Sequence, residues 1–159
     1  MAPSLLFDLE AIDLNTSPVY DRDSISRVIP QRHEMQQLDG ILWCNVESRL
    51  VLGYKDITDQ EFWIRGHLPD RPLMPGVIMI ECAAQLLSFF VKTFLNKGDA
   101  FIGFSGIESA KFRATVVPGN RLLLLGHIFE VKSRRYRCRV QGVVDQTLVF
   151  ESDISGMLI

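Results

Sequence analysis

The feature that most constrains this chain is the run from Leu73 to Val91, LMPGVIMIECAAQLLSFFV, where Glu81 is the only charged side chain between Arg71 and Lys92. Its length is about that of a helix crossing a bilayer core. Yet it contains Pro75, Gly76, Glu81, Gln85 and Ser88, and no comparable second segment exists to shield an ionised carboxylate in lipid. A helix apolar on all sides must otherwise be enclosed by the rest of its own fold. The sequence thus predicts a buried helix rather than a membrane span. It should start at Gly76 or Val77 and close at Lys97, with Gly98 as C-cap.

The flanks indicate what encloses it. Upstream, Gly66–Gly76 (GHLPDRPLMPG) carries three prolines, which exclude regular helix or a central strand and leave a stiff loop. Leu38–Val46 and Leu50–Ile57, joined through Glu47-Ser48-Arg49, read as a hairpin, and Glu61–Ile64 as a short strand. A short helix is expected over Asp21–Val28, capped by Asp21 or Asp23 and ending before Pro30. Downstream, Ala100–Ile107, Lys111–Val116, Arg121–Val131, Arg134–Val144 and Thr147–Met157 are strand-like and separated by turns such as Pro118-Gly119-Asn120. The economical solution is α+β: an antiparallel sheet wrapped around one long central helix. It forms a single domain over residues 21–159, preceded by an acidic and apolar N-terminal arm over residues 1–20. An edge strand and an uncovered helix face would remain, so a homodimer is the minimum expectation.

Charge and cysteine usage exclude several functions. A formal net charge of -2 over 159 residues gives no bulk basic field for non-specific nucleic-acid binding. Cys44, Cys82 and Cys138 are widely spaced, without CxxC or a nearby His pair, so neither a disulfide framework nor a zinc site is indicated. Reduced thiols predict a cytoplasmic protein, and the acids in MAPSLLFDLEAIDLN argue against a signal or transit peptide.

Three features carry chemistry. His67 lies in the proline-stiffened loop. Glu81, with Gln85 one turn later, interrupts the apolar helix. Pro75-Gly76 opens that helix, leaving backbone N–H groups at the positive end of its dipole. Proton abstraction beside a thioester carbonyl needs a base, an N–H donor for the developing enolate, and an acid if a β-hydroxyl leaves. His67, Gly76 and Glu81 fill those roles in that order, with Gln85 positioning the carboxyl group.

GHLPDRPLMPGVIMIECAAQ resembles the GHFPxxPxMPGVxxxEAxAQ signature of the 3-hydroxyacyl-acyl carrier protein dehydratases of the FabZ type. FSGIESAKFRATVVPGNRL is similar to their FxGIDxAKFRxPVxPGDxL, and the likeness runs from about Ser24 to the C-terminus. The resemblance implies a hot-dog fold and a dimer whose two sites each pair the histidine of one subunit with the glutamate of the other, in some cases as a trimer of dimers. It also implies no metal or organic cofactor, and a substrate delivered on the phosphopantetheine arm of acyl carrier protein. Glutamate at 81, where the related dehydratase-isomerases carry aspartate, favours dehydration without double-bond isomerisation. The chain departs from the family pattern at 30–40, where PQRHEMQQLDG replaces PHRYPFLLVDR, at Leu68 for Phe, and at Gly103, where relatives often carry an aromatic near the tunnel mouth.

Acyl carrier protein is acidic, so docking calls for a basic patch. Strand alternation places Arg135, Arg137 and Arg139 on one face, and with Lys111 and Arg113 they form the predicted docking surface. Interleaved aromatics for base stacking are missing there, which argues against RNA. The alternatives are a hot-dog thioesterase or enoyl-CoA hydratase, against which the paired His67 and Glu81 argue, and a non-catalytic acyl-binding subunit, which would lack one of the two.

Overall fold

The computed structural model describes residues 3–96 and 98–159. Regular structure begins with the short strand β1 (Tyr20–Asp21) and the single-turn helix α1 (Arg22–Ser26). Asp21 caps α1 by accepting the Ser24 N–H at 2.8 Å, and that bond holds its carboxyl below the usual carboxylate range. A 3-10 turn at His33–Met35 leads into β2 (Gly40–Asn45) and β3 (Leu50–Asp56), the expected hairpin. Glu61–Ile64 is not a strand. It folds into consecutive turns, because Glu61 turns inward to meet Lys55 and its oxygen also accepts the Thr58 N–H.

The long helix α2 spans Gly76–Phe90, and its last turn, Val91–Leu95, is π-wound. It closes at Asn96, which is extended, rather than at Gly98; Lys97 lies outside the described residues. Lys92 meets the chain beyond it by donating to the carbonyls of Gly98 and Ala100. By length and composition Gly76–Leu95 could cross a membrane, but most of it is buried inside the protein.

Strands β4 (Ile102–Phe112), β5 (Arg121–Val131), β6 (Arg135–Val144) and β7 (Thr147–Leu158) complete an antiparallel sheet of order β1-β2-β3-β5-β6-β7-β4. The strand expected over 100–107 runs on to Phe112 and takes in the start of the one expected over 111–116, while residues 113–116 are not strand. Register shifts at Phe104/Gly106 and Glu108/Lys111 bend β4 without ending it, so extra residues are absorbed as bulges. The Asp145-Gln146 turn between β6 and β7 has both residues at positive φ, which matches the twist of the strands it joins.

Two apolar layers result, one on each face of the sheet. The inner layer packs Leu86, Leu87, Phe89 and Phe90 of α2 against Val51, Leu122, Leu124, Cys138, Val140 and Phe150. Each side chain of this kind contributes about 1.5–3 kcal/mol when fully buried. The outer layer holds Leu42, Leu52, Leu123, Leu125 and Val143, and the N-terminal arm packs on it through Leu5, Leu6, Phe7 and Leu9. Gln141 fixes the arm in strand-like fashion, accepting the Leu6 N–H at 2.7 Å and donating to the Ser4 carbonyl at 3.0 Å. The helix and the loop before it therefore lie on the face opposite the arm.

Candidate active site

The loop before α2 is held by its own backbone. His67 N–H donates to the Trp63 carbonyl at 2.8 Å, and Met74 N–H to the Val116 carbonyl at 2.8 Å, which anchors the far end of the loop. Within this frame Nδ1 of His67 lies 3.0 Å from the Leu73 carbonyl oxygen. A carbonyl only accepts, so Nδ1 is the donor, and in the neutral ring that leaves the lone pair on Nε2, the tautomer a base requires. The ring is exposed in the single chain.

At the head of α2, Pro75 is extended, and its carbonyl accepts from both Ile78 and Met79. Among the described residues no hydrogen bond uses the N–H of Gly76 or Val77, so both are available at the positive helix end. Gly76 has a steric reason as well: a Cβ there would sit 2.7 Å from the Phe112 ring.

Glu81 lies along the same helix and is half-buried, not enclosed as the all-round apolar run suggested. It sits on the face of α2 that the sheet does not cover, with Val77, Ala84 and Ser88. Gln85 donates to the Glu81 carboxylate at 2.8 Å and to the Met35 carbonyl at 2.6 Å, while its own oxygen accepts the Gln37 N–H at 2.9 Å. One fully buried amide thus fixes both the carboxylate and the 33–38 segment. Gln36 also serves the fold, since its carbonyl accepts from Arg22 and its amide donates back to the Arg22 carbonyl. Part of the polarity that sets this segment apart from the family pattern goes into internal hydrogen bonds, through the side chains of Arg32, Gln36 and Gln37, while the side-chain oxygens of Gln31 and Gln37 are buried without a partner among the described residues.

Glu81 opens on a cavity of about 70 Å³ bordered by Gln31, Ala84, Ser88, Gly103 and Phe104. His67 does not border it, and no hydrogen bond among the described residues joins His67 to Glu81. One chain therefore presents the two groups on one side without bringing them together.

Four of the five residues of the predicted docking surface are engaged in ion pairs. Arg135, Arg137 and Arg139 do share the outer face, with Tyr136 and Cys138 buried on the other. However, Arg135 pairs with Glu130 at 3.0 Å, Arg137 with Glu108 at 2.6 Å, and Arg139 with both oxygens of Asp153 at 2.7 Å. Arg113 likewise meets Glu151 at 2.5 Å. Lys111 faces a groove beside the arm. Strands β4, β5 and β7 supply a carboxylate for each arginine, an arrangement that depends on strand order and not on spacing along the chain. The face is a ladder of ion pairs rather than a free cationic surface.

Sequence reasoning missed the Lys55–Glu61 pair, 3.3 Å apart with both side chains under a tenth exposed. Alternation in LVLGYKD carried the signal, since Lys55 shares its face with the inward Val51 and Gly53. All three cysteines are free, and burial pushes each thiol up to about 12. Among the described residues no three metal-ligating side chains lie together.

The model of the FabA-like domain matches residues 29–153. The chain belongs to the FabA-like family. Curated members with the name 3-hydroxyacyl-[acyl-carrier-protein] dehydratase FabZ align over nearly its whole length. The protein from Sorangium cellulosum is 30% identical over 141 residues, 87% of this chain and 90% of that protein. The protein from Chlamydia trachomatis serovar D is 32% identical over 148 residues, 92% of this chain and 97% of that protein. Among solved structures, the dehydratase heterocomplex ApeI:P from Xenorhabdus doucetiae superposes with a TM-score of 0.72 at 12% identity, over 85% of this chain and 90% of that one. The smu.793 protein of Streptococcus mutans, bound to acetyl CoA, gives 0.62 at 10% identity over 82% and 95%. These structures establish the hot-dog fold shared across the FabA-like family, and nothing finer.

Proposed function

We propose that this FabA-like protein is a 3-hydroxyacyl-acyl carrier protein dehydratase of fatty acid biosynthesis, converting a (3R)-3-hydroxyacyl thioester to the trans-2-enoyl thioester. Identity of 30–32% to FabZ dehydratases over most of both chains supports the activity. The observation that carries the mechanism is the contact of His67 Nδ1 with the Leu73 carbonyl at 3.0 Å, which in the neutral ring leaves Nε2 as the basic nitrogen. In this reading Nε2 takes the proton from the carbon beside the thioester carbonyl. The carbonyl oxygen gains negative charge against the free N–H of Gly76. The electron pair forms the double bond as the β-hydroxyl departs, protonated by Glu81, and water leaves. Gln85 holds the carboxyl group in place. No cofactor has a step in this scheme.

The separation of His67 from Glu81 within one chain supports a homodimer in which His67 of one protomer works with Glu81 of the partner subunit. Exposed Phe104, Ile107 and Phe112 on the edge strand β4, with Val77 on the open face of α2, supply an apolar surface for that contact. A trimer of such dimers is compatible with the family. The free cysteines favour a reducing, cytoplasmic setting.

The test is dehydration of hydroxyacyl-acyl carrier proteins of graded chain length, with subunit mixing. His67→Ala and Glu81→Gln should each be nearly inactive. Mixed and allowed to exchange, they should recover about a quarter of the parent rate, since half the dimers then carry one intact site. Near-normal activity in His67→Ala would refute the base assignment, and failure of mixing with dimers formed would refute the shared site.

A further inference from the structure

With the outer arginines paired, the face that carries Glu81 offers a different anion site. A groove of about 450 Å³ runs between the segment after α1 and the C-terminal end of the long helix, and Arg27, Arg32 and Lys92 line it against Asp99 alone. Arg27 and Arg32 are exposed, and none of the ion pairs among the described residues uses any of these three cations. The groove also shares Ser88 and Ile102 with the cavity at Glu81, so the two spaces adjoin along the helix. At 1.5 Å per residue, Lys92 stands about 16 Å along the axis from Glu81.

We infer that this groove receives the phosphate of the phosphopantetheine arm, Arg27 and Arg32 gripping it while the thioester reaches the Glu81 cavity. The ligand class follows from the arrangement: an anion at one end, an extended neutral linker, and a reactive group held well away from the charge. Guanidinium pairs suit a phosphodiester because their planar N–H forks match its oxygens. Arg32 is already oriented, since Nη1 donates to the carbonyls of Ile29 and Gln31, both at 2.8 Å. The inference rests on the dehydratase reading of the neighbouring site, and it moves docking from the outer face of the sheet to the helix side.

The test separates the two by measuring binding and turnover on the same preparations. The probes are a non-reactive thioether analogue of 3-hydroxybutyryl-phosphopantetheine and its dephospho counterpart. The parent should bind the phosphorylated analogue roughly tenfold more tightly, with the preference fading at high salt. Arg27→Gln, which forfeits no side-chain hydrogen bond among those described, should cut the preference several-fold and leave dephospho binding unchanged; Arg27→Lys should restore part of it. Arg137→Ala with Arg139→Ala should leave it intact. Equal binding of both analogues by the parent, or loss of the preference only in the outer-face variant, would overturn the inference. Failure of the parent to dehydrate 3-hydroxybutyryl-pantetheine would sink the dehydratase reading alone.

Discussion

Gln85 shows how one side chain couples chemistry to fold. Its amide is fully buried and engages Glu81, the Met35 carbonyl and the Gln37 N–H. Gln85→Leu would leave those backbone groups unpaired in a buried place, at about 1–3 kcal/mol for each. The melting temperature should fall by roughly 5–10 °C, with dehydration falling as Glu81 loses its orientation. Glu81→Gln should separate the two properties. It keeps an oxygen for Gln85 but removes the acid, so turnover should drop roughly 10²–10⁴-fold while the melting temperature stays within about 3 °C of the parent. A large drop in melting temperature with activity retained would mark Glu81 as structural. The sequence made Glu81 and the i, i+4 partnership with Gln85 legible because both lie on one helix. It could not place 33–38 beneath Gln85, since that contact spans about fifty residues of chain and leaves no periodic trace.

His127 offers a pH readout. Burial holds its imidazole below the ordinary histidine value of 6.5, reinforced by Arg49 and Arg139. The folded state thus resists the proton more than the unfolded chain does. Its stability is undiminished above that ordinary value and declines as pH falls through it toward the lowered one. Between pH 7.5 and 5.5 the parent should lose more unfolding free energy in denaturant titrations than His127→Gln; equal losses would rule the histidine out.

The head of α2 and strand β4 form one unit, because the Phe112 ring occupies the space a side chain at Gly76 would need. Gly76→Ala must displace that ring, which stacks on Phe150 at 6.3 Å between centroids. It should slow dehydration more than it lowers stability, because half-exposed Phe112 has room to turn while the oxyanion position proposed at Gly76 does not. Adding Phe112→Ala should recover turnover if the ring is the obstacle, and leave it unchanged if the new methyl itself blocks the N–H groups. Turn chemistry and strand propensity made the elements legible here, but not that the first of two expected strands runs on into the start of the second. A bulge costs little and carries no sequence mark beyond a break in alternation, as at Ser109, which sits at positive φ.

For the whole molecule, the arm is the part that composition described least well. It reads as acidic and loosely apolar, yet Leu5, Leu6, Phe7 and Leu9 cover the leucines on the outer face of the sheet. Alternation implied an outer face; it could not say that the chain covers it with its own beginning. Removing residues 3–16 should expose this layer, lowering the melting temperature by roughly 10 °C or more and promoting aggregation. The soluble fraction should keep near-parent turnover per folded molecule, since the arm lies away from His67 and Glu81. Loss of specific activity in that fraction would show the arm supports the site.

Strand order also governs how the chain is made. β4 precedes β5 in sequence, yet its partner in the sheet is β7, the last strand. While β5 to β7 are being synthesised, β4 has no strand to bond with and its Phe104, Ile107 and Phe112 stay open to neighbouring chains. At 5–20 residues per second, that interval is on the order of seconds, longer than the folding of local hairpins by far. A chain halted before residue 147 would leave β6 with an open edge and β4 without any strand partner, a natural substrate for a chaperone. Demand for chaperone during synthesis should therefore track the arrival of β7 rather than that of the long helix.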